Sequence, residues 1–474
     1  MKQPVVCFGE SLAKFFSEED AMSAVEPIAR GPAVPGAVSA TLDAGDIGRA
    51  AMRKATWRLI PLIALGYGTA YMDRVNISFA SLQMNRDLHF SASIYGLGAG
   101  LFFLSYAACE VPSNLLLCRF GARRWLSRIM VTWGILAIAM MFVKTPLQFY
   151  VLRFLLGMAE AGFFPGVVFY LMQWFPPEMR ARAVSRFYVS LPLSSAVMGA
   201  LAGALLNLQG RLGLAGWQWL FLIEGLPAIL LSVAFLVWLP DGPADAAWLT
   251  GDERAWVLEQ IRVDACSGGH THDVGRALLD PRVLQIGMVF LFMLGCSYAY
   301  AFSAPAILMR LTGWNVTRVG FLISGVGLLG ALAMIWNAQN SDRSSERYWH
   351  VAIPFFILSG GFLVGGLSTA AWLAVPALSA TTIAYMALLG PIMAIPPLFL
   401  KGKSMAAGIA AMNTIGMLGG FIGPYWMGIA KDLTGDYQRG LLTLTVPSLA
   451  AAGIMLWMRR VARRQRIAPF GEIT

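Results

Sequence analysis

Charge is what this chain has least of. Asp, Glu, Lys and Arg make up 13% of its 474 residues, about half the ~25% of an ordinary soluble domain. Apolar residues make up 57%. A chain this long and this apolar cannot hide its hydrocarbon in a soluble core, which points to a polytopic membrane protein. Cysteine is scarce too: five, at 7, 109, 118, 266 and 296, without a CxxC pair. That argues against a disulfide framework and against a metal cluster. The four histidines, 89, 270, 272 and 350, are assigned to connecting segments. His270 and His272, in GGHTH, are too few to hold a metal. P-loop, GxSxG and HExxH motifs are lacking, so a membrane enzyme is disfavoured and no cofactor is expected.

What is present is long apolar runs, near 57–80, 92–117, 126–144, 147–173, 184–208 and 217–239, then near 282–308, 315–338, 349–368, 371–399, 404–430 and 438–458. Each suffices for a helix of the ~20 residues that cross a bilayer. Runs this long exclude barrel strands, so the expected fold is all-α with twelve transmembrane helices in two six-helix halves. Residues 1–50 read as a largely disordered cytoplasmic tail without a signal-peptide core. Residues 51–240 read as the first bundle, 241–280 as a linker with an amphipathic surface helix, 281–460 as the second bundle, and 461–474 as a tail. Of the 36 basic residues, 24 fall in segments of one side and 7 in those of the other. That bias places both termini and the linker in the cytoplasm of a cell membrane. It also accounts for the net charge of +10 without nucleic acid.

Two loops mark corresponding places in the halves. EVPSNLLLCRFGARRWLSR, residues 110–128, follows the second run, and NAQNSDRSSERYWH, residues 337–350, follows the eighth. A Gly with paired Arg between two spans resembles the marker loop of the major facilitator superfamily. Its usual acid is replaced by Cys118 in the first loop and kept as Asp342 in the second. YMDRVNISFASLQMNRDL, FFLSYAACEVPSNLLLCRFGARRW, FYVLRFLLGMAEAGFFPGVVFYLMQWFP, GWQWLFLIEGLPA and AAGIAAMNTIGMLGGFIGPYWMG sharpen this to a resemblance to its anion:cation symporter family, over about residues 53–460. Members include carriers of tartrate, phthalate and galactonate. The resemblance implies alternating access between two bundles, a small organic anion as substrate and protons as coupling partner.

Charges inside the runs are functional candidates, because burying one in lipid costs about 2.5–3.5 kcal/mol. Tyr67, Tyr71 and Arg74, spaced four and three, share a helix face. They form a cation flanked by phenols, expected to face a water-filled cleft, and Arg fits a carboxylate bidentately. Asp73 points about 100° away. Arg153 and Glu160, seven apart, share a face of the fourth run. By the resemblance, Asp73 and Glu160 are the proton-coupling acids, and Glu160 pairs with Arg74 when substrate is absent. Tyr106 matches a cavity-lining position of the family. Asn413 is the expected hydrogen-bond reader in the second half, beside Tyr298, Tyr300, Ser303 and Thr414. Arg153, with the loop residues Arg123, Asp342 and Arg343, is read as structural or gating; a static ion-pair network is the bland alternative for the buried charges. Glu110 and Glu224 are read as structural contacts. The organic anion, protons and lipid are the expected partners of a monomer. Uniport, antiport and a non-transporting sensor are the alternatives to symport.

Overall fold

The computed structural model describes residues 37–267, 280–400 and 402–467, all-α throughout. His270 and His272 lie outside them. The first half comprises α1 (Ala37–Asp87), α2 (Ala92–Phe120), α3 (Ala122–Ala139), α4 (Pro146–Glu160), α5 (Phe163–Met172), α6 (Pro177–Tyr188), α7 (Ser190–Leu206) and α8 (Gly216–Trp238). A linker helix, α9 (Gly251–Ser267), precedes the second half: α10 (Pro281–Thr312), α11 (Val316–Ser344), α12 (Tyr348–Leu367), α13 (Ala371–Met393), α14 (Gly402–Thr434) and α15 (Gln438–Ile467). α4 and α5 form one broken span, and α6 leads into the span of α7. Among the described residues, ten spans are long and apolar enough to cross a membrane. α1, carrying Asp73 and Arg74, and α14, rich in glycine, complete the twelve. Helix starts follow local chemistry. Ser91, Thr145 and Asn315 each accept a backbone N–H three residues on, and Pro146 and Pro281 open their helices.

With twelve spans, both chain ends and the linker lie on one face, here the terminal face; the other is the far face. The halves meet along α2–α14 and α7–α11. A two-fold that carries each span onto the one six places later exchanges these pairs, so the two seams are copies of one interface. Small residues let backbones touch there. A Cβ on Gly199 would lie 2.4 Å from the Gly320 carbonyl oxygen, and one on Gly320 would lie 2.1 Å from that of Gly199. Polar contacts close the far face. Asp432 of α14 accepts from the backbone N–H of Ala92 (3.0 Å) and Ser93 (2.8 Å), capping α2 across the seam. Asn207 Nδ2 donates to Thr317 Oγ1 at 3.0 Å, and Ser324 donates to the Ala196 carbonyl.

Several expectations shift. α1 begins at Ala37, inside the stretch expected to be a disordered tail. At 51 residues it is about 77 Å long, far more than the ~30 Å of a bilayer core, so its first part extends past the terminal face. The linker helix packs Trp256, Val257 and Ile261 against the bundle. It buries Glu253, which pairs with Lys54 of α1 at 2.8 Å, while Leu258 and Val263 point outward. His350 stands in the first turn of α12, near Glu346 (3.4 Å), rather than in a connecting segment. Cysteines replacing Asn207 and Thr317, in a chain freed of its five native cysteines, are expected to cross-link readily in membranes under mild oxidant. Absence of that cross-link would contradict a closed far face.

Candidate functional site

The fourth span breaks at mid-depth. α4 ends at Glu160, Ala161 leaves the helix, and Gly162 takes a left-handed conformation (φ 86°) before α5 starts at Phe163. Pro165 lacks the N–H that would continue the ladder through the break. Gly162 is required twice, by its φ and because a Cβ would sit 2.4 Å from Ser113 Oγ. Broken spans of this kind place functional groups near the midplane of transporters.

Glu160 is fully buried, and its Oε1 receives Arg74 Nε at 2.7 Å and Nη2 at 2.5 Å. Its Oε2 has no partner. Arg74 is 7% exposed and lies with its guanidinium carbon 5.0 Å from the Tyr106 ring and 5.8 Å from that of Phe102. Tyr67 and Tyr298 are also among its electrostatic neighbours. Arg153 is buried above Phe102, 4.9 Å from the ring, and reaches the Ala99 carbonyl at 3.4 Å. Asp73 turns away from Arg74. Its Oδ1 accepts from Asn76 Nδ2 at 3.4 Å, and Oδ2 has no partner. Glu224 of α8 is buried with both carboxyl oxygens unpartnered, facing Asn76 and Asp73. Around α1, two guanidiniums thus stand against three carboxyls.

A cavity of about 90 Å³ lies between the halves, from mid-depth toward the far face. Tyr71, Ser297, Tyr298, Ser379, Thr382 and Tyr385 are among the residues that bring hydroxyls to it. Ser297 Oγ is buried without a partner. Arg74, Tyr67 and Tyr106 do not line this cavity. The guanidinium expected to face an open cleft is instead covered: Glu160 occupies it, and Tyr298, which lines the cavity, is among its neighbours. Tyr300 lines the cavity; Ser303 is buried outside its lining. Ser297 and Tyr385 escaped sequence reasoning, although a tyrosine in the apolar stretch ALSATTIAYMALLG was a usable signal.

Asn413 also differs from expectation. Its Nδ2 donates to both carboxyl oxygens of Glu110, at 3.0 and 2.9 Å, across the α2–α14 seam. Glu110, read as a structural contact, thus bridges the two halves. In the loops, Asp342, in the last turn of α11, pairs with Arg347, not with its neighbour Arg343, which is exposed. The side chain of Arg123 is exposed too, and its backbone N–H donates to Asp241 Oδ1 at 3.0 Å. Asp241 thus holds the start of α3 through a backbone N–H.

A sequence profile of the Major Facilitator Superfamily matches residues 63–424. The chain belongs to the major facilitator superfamily. It is 41% identical to a protein of Agrobacterium vitis named "Putative tartrate transporter", over 88% of this chain and 92% of that one. It is 37% identical to the quinolone resistance transporter of Acinetobacter baumannii, over 85% and 94%. The fold matches a crystal structure of a bacterial homologue of the human lysosomal transporter Spinster, with TM-score 0.74 and 16% identity over 88% and 99%. These relatives are transporters, and the resemblance to anion:cation symporters read from the motifs agrees with them.

Gly162→Ala is expected to lower thermal stability by several degrees, since left-handed backbone costs a non-glycine residue about 1–2 kcal/mol and the new methyl meets Ser113. Adding Ser113→Gly should restore part of the loss. A Gly162→Ala protein as stable as wild type would remove the strain argument.

Proposed function

We propose that this transporter carries a small, hydroxylated organic carboxylate together with protons. One observation carries the reading: Arg74, the cation beside the inter-half cavity, is held by a buried carboxylate, Glu160, that a substrate carboxylate can replace. When it does so, Glu160 is left buried without a cation. An uncompensated carboxylate in such a place is strongly disfavoured and takes up a proton. Binding of the anion and of the proton are then linked, as symport requires. Asp73, with one unpartnered oxygen, belongs to the same set, where three acids face two guanidiniums. Tyr71, Tyr298 and Tyr385, with Ser297, are placed to hydrogen-bond hydroxyls of the anion. The name of the Agrobacterium relative supports the same substrate class.

The charge bias of the loops orients the terminal face to the cytoplasm, so the closed far face is the outer one. Alternating access then requires the Asp432 cap and the Asn207–Thr317 contact to part when the outside opens. Glu110–Asn413 holds α2 to α14 on the inner side, and Asp342, Arg347 and Arg153 hold structure within the halves. Small carboxylates, tartrate first, are the substrates to test in proteoliposomes.

Acid-outside gradients are expected to drive tartrate accumulation by the wild type. Glu160→Gln should lose gradient-driven accumulation by at least about tenfold while keeping exchange. Arg74→Lys keeps charge but loses the fork; a charge-assisted hydrogen bond worth about 1.5–3 kcal/mol corresponds to about 10–150-fold weaker binding. Uptake that ignores the gradient, with Glu160→Gln transporting normally, would refute proton coupling.

A further inference from the structure

A second recess lies outside the transport path, on the terminal face. A groove of about 440 Å³ is lined by Arg49, Arg53, Thr56 and Trp57 of α1, by Met179 and Arg186 of α6, and by Trp256 of the linker helix, among others. Three guanidiniums from two elements therefore converge on one opening. Among its described lining residues there is no carboxylate. Asp46, one turn before Arg49, pairs with that guanidinium, and Arg186 reaches Thr56 Oγ1 at 3.4 Å. Lys54, on the same turn, is taken up by Glu253. The groove thus keeps a net positive charge that the transport site does not use.

The apolar surroundings say what kind of anion fits. Trp57 is 75% exposed, and Pro61 and Leu65 follow it at intervals of four on the outward side of α1. On the neighbouring span, Val189, Leu193 and Val197 form a second exposed row at the same interval. α1 packs against both α6 and α7. Two outward apolar rows thus run from the basic groove into the depth of the membrane. Trp at the headgroup level is the usual interfacial anchor. A soluble phosphate would use the arginines and leave the rows unexplained.

We propose that this groove binds the phosphate of an anionic phospholipid, with Arg53 and Arg186 on the headgroup and an acyl chain along Trp57 and Leu65. Basic recesses between spans on this face suit such headgroups, and guanidiniums fit phosphate oxygens in pairs. The lipid would tie α1, α6 and the linker helix together at the inner membrane surface.

The test uses the full-length protein, delipidated in detergent, with thermal unfolding as readout. Dioleoyl phosphatidylglycerol is expected to raise the melting temperature several degrees more than dioleoyl phosphatidylcholine. Arg53→Ala with Arg186→Ala should weaken that effect about 30-fold in lipid concentration, at about 1 kcal/mol per arginine. The same variant in phosphatidylcholine reports whether it folds, and Trp57→Ser, which keeps all three arginines, should also weaken the lipid effect. Equal shifts with the two lipids, or a shift undiminished in the double variant, would overturn the site. An equal shift with millimolar inorganic phosphate would overturn the lipid assignment in favour of a soluble phosphate.

Discussion

The ion pair between Arg74 and Glu160 imposes its demands on everything around it. Two charges taken out of water are tolerated only when geometry and extra contacts offset their desolvation. Here the guanidinium gives two nitrogens to one carboxylate oxygen and rests on the faces of Tyr106 and Phe102. The fourth span breaks immediately after Glu160, so the carboxylate stands at the end of α4 rather than inside a continuous ladder. The small residues of GMAEAG allow α2 and α4 to approach: a Cβ on Gly157 would lie 2.1 Å from the Phe102 carbonyl oxygen. Removing either partner would leave the other charge buried alone, at a cost of about 3–5 kcal/mol. The pair is therefore stable while intact and open to exchange only with another anion.

That property suits a carrier built from two halves. The cavity receives walls from both: Tyr71 and Ser195 from the first, Tyr298, Tyr385 and Ser379 from the second. Tyr298 faces Arg74 on one side and the cavity on the other. On the proposed reading it is the point where a substrate arriving from the cavity reaches the cation. The α2–α14 seam is tied near both ends, by Asp432 at the far face and by Glu110–Asn413 toward the terminal face. The named α7–α11 contacts lie at 195–207 and 317–327, the far-face parts of those helices. Rocking of the halves must pivot around these unequal ties.

Much of this was legible in the chain itself. Twelve apolar runs and the placement of arginines carry the architecture, because lipid allows few alternatives to helices of fixed length. Tyr67, Tyr71 and Arg74 share a face by spacing alone, and Asp73 does turn toward different neighbours. What spacing could not supply is whatever depends on a second helix. Asn413 read as a hydrogen-bond reader for substrate, with no sign of Glu110, which stands 303 positions away. Nor does any local pattern show that Glu224 faces Asn76 and Asp73 of α1. The helix start at Ala37 was hidden by a composition rich in Gly and Pro just ahead of it. Arg74 was expected to be open to a cleft, since no sequence pattern shows how far neighbouring helices bury it.

The proposed mechanism makes proton uptake part of anion binding, so the number of protons taken up per anion bound is the decisive quantity. It can be read directly, by adding tartrate to purified protein in weakly buffered detergent solution and following pH together with bound anion. The account predicts uptake of about one proton per anion by the wild type and none by Glu160→Gln. Anion binding without proton uptake, or identical uptake by the two proteins, would contradict it.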